Sequence, residues 1–194
     1  MDKQKIAKWL SIILGAQVWF PILILLFIFK TGLTQQQILI LFPSLILFQI
    51  ILPVVVLYWL IKSKRVSDWD IRNRKERYKI LPVFIASTLV ATIIIHQFGT
   101  ELFFHLYVIL WIAAFIGTLM TYFFKISLHV MLNTAAVTVV NFLFGWNLLF
   151  LYLLIPIVSW ARYYHKHHTI VQILLGILIS AIIVFSALAF LGYI

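Results

Sequence analysis

The chain contains no cysteine. Disulfide frameworks, thiolate metal centres and cysteine nucleophiles are therefore excluded. Acid is almost as scarce, with five Asp and Glu residues against 15 Lys and Arg. Only 10% of the 194 residues are charged, where a soluble domain carries about a quarter. The other side of that scarcity is a sequence 64% hydrophobic with a mean hydropathy of +1.12. Packing in water cannot hide so much apolar surface. No internal repeat, low-complexity tract or linker divides the chain, so one domain over 1–194 is expected. The first apolar stretch lacks a small-x-small site, so no cleaved leader is expected either. What remains is an all-α integral membrane protein.

A spanning helix needs roughly 20 apolar residues, and fewer where neighbours shield it. Candidate spans run over Trp9–Phe29, Ile38–Ile61, Ile80–Ile95, Leu102–Phe124, Ser127–Phe144, Asn147–Trp160 and Thr169–Tyr193. They predict a polytopic helical bundle of about six or seven spans. Asn133 and Thr134 interrupt the fifth stretch, which places it among other helices rather than against lipid. Gly176 reads as a position where another helix packs closely.

The loops sort by charge. If the spans alternate, the N-terminus, Lys62–Lys79, Lys125 and Trp160–His168 share one face. That face then holds every Lys and Arg of the chain except Lys30. Positive loops stay inside, so the N-terminus and these loops are predicted to be cytoplasmic, on the cell inner membrane. The formal net charge of +10 then reflects loops, anionic headgroups or an anionic substrate; no nucleic-acid partner is expected. Helices starting on this face would aim unpaired N–H groups and positive dipole ends at one region, together with the arginines. That is the chemistry of an anion site.

Three segments supply its side chains. They are "SDWDIRNRKERYKILP" from Ser67 to Pro82, "KISLH" from Lys125 to His129, and "RYYHKHHTIVQ" from Arg162 to Gln172. The last has the spacing R-x5-H-x3-Q. In order and spacing the set resembles the PAP2 superfamily, the type 2 phosphatidic acid phosphatases with their haloperoxidase and acid phosphatase relatives. That family carries K-x6-R-P, then S-G-H, then S-R-x5-H-x3-D. In this chain Leu128 stands where the family has glycine, Ala161 where it has serine, and Gln172 where it has aspartate. No lysine stands seven residues before an Arg-Pro pair.

The resemblance implies a PAP2-like bundle without metal or other cofactor. It would act on a lipid phosphate or a polyprenyl (di)phosphate in the bilayer. His168 would be the nucleophile. His129 would protonate the leaving oxygen and then activate water. Arg162, Arg74, Arg77 and Ser127 would bind phosphate. Gln172, one turn beyond His168, would accept the ring N–H and fix its tautomer.

Other readings are weaker. "HKHH" does not set three histidines on one helical face, and carboxylates for a metal are few. A UbiA-like prenyltransferase would use two Asp-rich clusters, and only Asp68 and Asp70 pair here. A non-catalytic PAP2-like protein that binds anionic lipid or a partner is the main alternative. The orientation is directly testable because the chain has no native thiol. A cysteine at Ser63 is expected to resist impermeant thiol reagents in intact cells and to react once membranes are opened. Labelling in intact cells would reverse the assignment.

Overall fold

The computed structural model describes all residues except Met1, Asp2, Asp68, Asp70, Arg72, Asn73 and His167, and leaves out the side chains of Lys3, Lys8, Ala16, Gln17, Phe20, Arg74, Arg77 and Tyr122. The described residues are all-helical, with no strand. Helices run over Lys3–Ile13 (α1), Ala16–Lys30 (α2), Gln35–Ile46 (α3), Leu52–Lys62 (α4), Arg74–Phe98 (α5), Glu101–Phe123 (α6), Leu128–Leu143 (α7), Leu154–Tyr164 (α8) and Ile170–Phe190 (α9). A π turn, Leu47–Ile51, joins α3 to α4, and a 3-10 turn, Leu149–Leu153, leads into α8.

Among the described residues, four helical segments are long and apolar enough to cross a membrane: Gln35–Lys62, Tyr78–Phe98, Glu101–Thr121 and Ile170–Phe190. These are the dimensions of an integral membrane protein. Pro21–Lys30, Leu128–Leu143 and Leu149–Tyr164 are apolar but shorter. The sequence expectation of six or seven spans is thus met in full length by four. The first candidate span, Trp9–Phe29, is not one helix. The chain breaks at Leu14 and Gly15, where Gly15 N–H turns back to the Ile12 carbonyl. The third candidate is longer than its apolar stretch, since α5 continues to Phe98.

The chain groups into two compact units, residues 1–23 with 112–194, and residues 24–111. In the first unit α7 is central, and its buried residues run almost without interruption from Val130 to Asn141. Most of its polar groups are satisfied locally or by neighbours, the buried Asn141 Oδ1 being without a hydrogen-bond partner among the described residues. Thr134 and Thr138 donate to the carbonyls one turn back, and Tyr152 donates to Thr138. Asn133 is fully buried and makes three long-range or turn contacts. Its Nδ2 donates to the Leu14 carbonyl at 2.7 Å and to the His129 carbonyl at 2.7 Å. Its Oδ1 accepts the Trp19 indole N–H at 2.6 Å. The break between α1 and α2 is thereby sealed by a side chain of α7. Leu14, Val130, Ile155, Val158 and Ile173 form the apolar core beside it.

The second unit is organised around the π turn. Leu52 N–H reaches back five residues to the Leu47 carbonyl. Pro53 has no N–H. The Phe48 carbonyl is left with no helical donor, because Leu52 is spent and the next residue is proline. Ser87, buried on α5, supplies a hydroxyl to it. Thr88 donates to the Gln49 side chain at 3.3 Å from the next position. Leu57, Leu60, Val66 and Ile80 pack together where α4 leads toward α5, and Phe27 meets Phe103 edge-to-face at 5.1 Å.

A buried polar group left without a partner costs about 1–3 kcal/mol. Asn133→Leu strands both the Trp19 indole and the Leu14 carbonyl, whereas Ser87→Ala strands one carbonyl. Reversible unfolding in mixed micelles is expected to show a loss of about 1–3 kcal/mol for Ser87→Ala and roughly twice that for Asn133→Leu.

Candidate anion site

The second and third motifs meet in the first unit. Helix α8 ends at Tyr164, and Lys166 turns the chain with a φ of 53°. The link from α8 to α9 is only residues 165–169, so the C-terminus of α8 and the N-terminus of α9 lie within a short reach. Arg162 occupies the last turn of α8 and is 1% exposed. His168, just before the α9 cap, is 5% exposed.

Helix α9 opens with a reciprocal cap. Thr169 Oγ1 accepts the Gln172 N–H at 3.3 Å, and Gln172 Oε1 accepts the Thr169 N–H at 3.1 Å. The sequence expectation gave the Gln172 amide oxygen to the His168 ring. In the structure that oxygen accepts the Thr169 N–H, because Thr-x-x-Gln is a capping box. The cap steadies the turn that carries His168. The signal was present in the sequence as T-I-V-Q, and again as T-Q-Q-Q at the start of α3.

Gln172 also connects the motifs through its backbone. Its carbonyl accepts the Ser127 N–H at 3.2 Å. Ser127 is the N-cap of α7, so the N-termini of α7 and α9 are adjacent. The next two turns of α9 extend the seam. A Cβ on Gly176 would stand 3.1 Å from the Ser127 carbonyl oxygen, and Ser180 donates to the Met131 carbonyl at 2.8 Å. Gly176 is the close-packing position that the sequence suggested.

Ser127 is fully buried, and its hydroxyl neither caps α7 nor finds another hydrogen-bond partner among the described residues. A hydroxyl at a helix N-cap ordinarily accepts an N–H of the first turn. Here it is left for something else. His129, in the first turn of α7, is half-buried, and its carbonyl is the one that Asn133 binds. Arg74 and Arg77 begin α5 in the other unit, and the placement of their side chains lies outside the described residues. Ser67, upstream of them, donates its N–H and Oγ to Glu76 at 2.8 Å, and Lys79 donates to the Arg65 carbonyl at 2.8 Å. Those contacts fold the first basic segment back on the start of α5.

The electrostatics of the first unit are one-sided. It holds Lys3, Lys5, Lys8, Lys125, Arg162 and Lys166, and its sole acidic side chain in the sequence is Asp2, outside the described residues. A guanidinium cannot shed its proton, so burial must be offset by hydrogen bonds and negative charge. The same unit supplies two adjacent helix N-termini and the buried Ser127 hydroxyl, which favour the same sign of ligand.

Searches against protein-family models, curated proteins and solved structures find no match. The functional reading therefore rests on the motifs and the chemistry of the site.

The seam makes a specific demand on Gly176. Gly176→Ala is expected to shift the α7 N-terminus by a few tenths of an ångström and to be tolerated. Gly176→Leu is expected to separate the two N-termini and abolish any anion binding, measured with inorganic phosphate on folded protein in micelles. Full phosphate binding by Gly176→Leu would show that the seam does not build the site.

Proposed function

We propose that the protein is a metal-independent membrane phosphatase of the PAP2 type. Its substrate would be a lipid-linked phosphate or diphosphate monoester, with the headgroup at the membrane surface and the tail in lipid. The observation that supports this most is the Ser127–Gln172 backbone hydrogen bond, which joins the second and third motifs. The same unit holds the buried Arg162, and the buried Ser127 hydroxyl has no hydrogen-bond partner among the described residues.

In this reading a ring nitrogen of His168 attacks phosphorus. The P–O bond to the lipid breaks as the P–N bond forms. His129 gives its proton to the leaving oxygen, which is an alkoxide for a monophosphate and a lipid phosphate for a diphosphate. Arg162 and the Ser127 hydroxyl hold the equatorial oxygens, where charge accumulates. His129, now neutral, takes a proton from water. The resulting hydroxide attacks phosphorus, the P–N bond breaks, and inorganic phosphate leaves. Arg74 and Arg77 would add positive charge from the first segment. Gln172 acts through the cap, which sets where His168 leaves the chain. The inner-membrane location and the cytoplasmic N-terminus belong to the same proposal.

Two features favour a second reading, in which the fold binds anionic lipid without catalysis. Leu128 replaces the glycine that would let phosphate approach the backbone. The Gln172 oxygen is engaged in the cap, so no carboxylate balances a charged His168.

Turnover separates the two. Purified protein is offered phosphatidate, phosphatidylglycerophosphate, polyprenyl phosphate and polyprenyl diphosphate, each with chelator present. Phosphate release from at least one is expected. His168→Asn should end turnover while keeping lipid binding, and His129→Ala should slow it by about 10²–10⁴. Binding of all four lipids without release by the parent protein would favour the non-catalytic reading.

A further inference from the structure

The N-terminal helix differs from the rest of the chain. Helix α1 has 11 residues and rises about 16 Å, half the roughly 30 Å of a hydrocarbon core. Its sequence, KQKIAKWLSII, gathers Lys3, Gln4, Lys5 and Lys8 toward its start and apolar residues toward its end. One face packs into its unit: Ala7 is fully buried, and Leu14 just beyond the helix joins the core of α7, α8 and α9. The opposite face is open. Trp9, Ile12 and Ile13 are 62%, 42% and 53% exposed, and Lys5, one turn before Trp9, is exposed beside them.

The chain then breaks at Gly15 before α2 begins. A helix with a tryptophan and two isoleucines on one open face and lysines alongside has the make-up of an element lying in the headgroup layer. The sign of its partner follows from charge. Asp2 is the one acidic residue before Asp68, so the three lysines outnumber acid along this segment.

We propose that α1 lies in the membrane interface and docks on anionic lipid headgroups, with Trp9, Ile12 and Ile13 seated at the acyl boundary. The inference is independent of the phosphatase reading. It also gives Asn133 a second meaning. The Nδ2 that holds the Leu14 carbonyl, at the end of α1, also holds the carbonyl of His129. The docked helix and the first turn of α7 are thus fastened to one amide group.

The absence of native cysteine makes the test clean. Gln4→Cys and Ile13→Cys, each carrying the chain's single thiol, are labelled with an environment-sensitive fluorophore. They are placed in nanodiscs of phosphatidylcholine with or without phosphatidylglycerol. The Ile13 label is expected to report an apolar setting that deepens with phosphatidylglycerol, while the Gln4 label stays aqueous. Salt near 1 M should cancel the phosphatidylglycerol effect. Replacing Lys3, Lys5 and Lys8 by Gln should weaken the preference for anionic lipid by roughly fivefold per lysine. If both labels are shielded in either lipid, α1 is the start of a span and the proposal fails. If the Ile13 label is indifferent to phosphatidylglycerol, docking on anionic lipid is excluded. Unchanged helix content of each variant shows that the readout concerns a folded protein.

Discussion

One carboxamide carries much of the first unit. In hydrocarbon no water relieves an unpaired polar group, so a broken helix needs a donor or acceptor from elsewhere in the protein. Asn133 is that donor. It takes the Leu14 carbonyl where α1 stops and the Trp19 indole where α2 has begun. Because it stands on α7, sealing the break also fixes α7 against the N-terminal segment. The buried polar face of α7 is the cost of this arrangement, and the same face carries Thr134 and Thr138 to partners of their own.

With α7 held, α9 can close on it. Small residues on α9 set the approach: Gly176 meets the Ser127 carbonyl and Ser180 reaches the Met131 carbonyl. The tightness of this seam is what brings two helix N-termini side by side. A bulkier residue at either position would open space between them, and positive dipole ends spread apart attract an anion far less. The candidate site is therefore a product of helix packing as much as of its charged side chains.

How much of this could be read from the sequence depends on the range of the interaction. Asn133 and Thr134 inside an apolar stretch marked α7 as buried, because lipid does not accept such residues. Gly176 was legible for a related reason, since a small residue in a greasy helix invites close contact. The break at Gly15 was not legible. Apolar residues flank it on both sides, and its stabilising partner lies more than a hundred positions away. Hydropathy averaged along the chain cannot register such a contact. The cap made by Gln172 was overlooked for the opposite reason. Its partner, Thr169, is only three residues off, and the local capping signal was passed over for a longer-range analogy. Arg74 and Arg77 were read as phosphate ligands from the family resemblance and their residue type, and the described side chains do not extend to them.

The π turn at Leu47–Ile51 has a consequence for inheritance. The wide turn holds one residue more than ordinary winding and absorbs it locally, so the helix on either side keeps its facing. The buried residues Leu57 and Leu60 follow it and belong to the core of the second unit. A residue inserted or deleted between Pro53 and Leu57, where no wide turn absorbs it, would rotate everything beyond it by about 100° and carry both leucines away from that core. Deleting one residue from the turn itself would instead restore ordinary winding with the leucines still inward. Length within the start of α4 is thus more constrained than composition, and a one-residue insertion or deletion there is a heavier lesion than an exchange of one apolar residue for another.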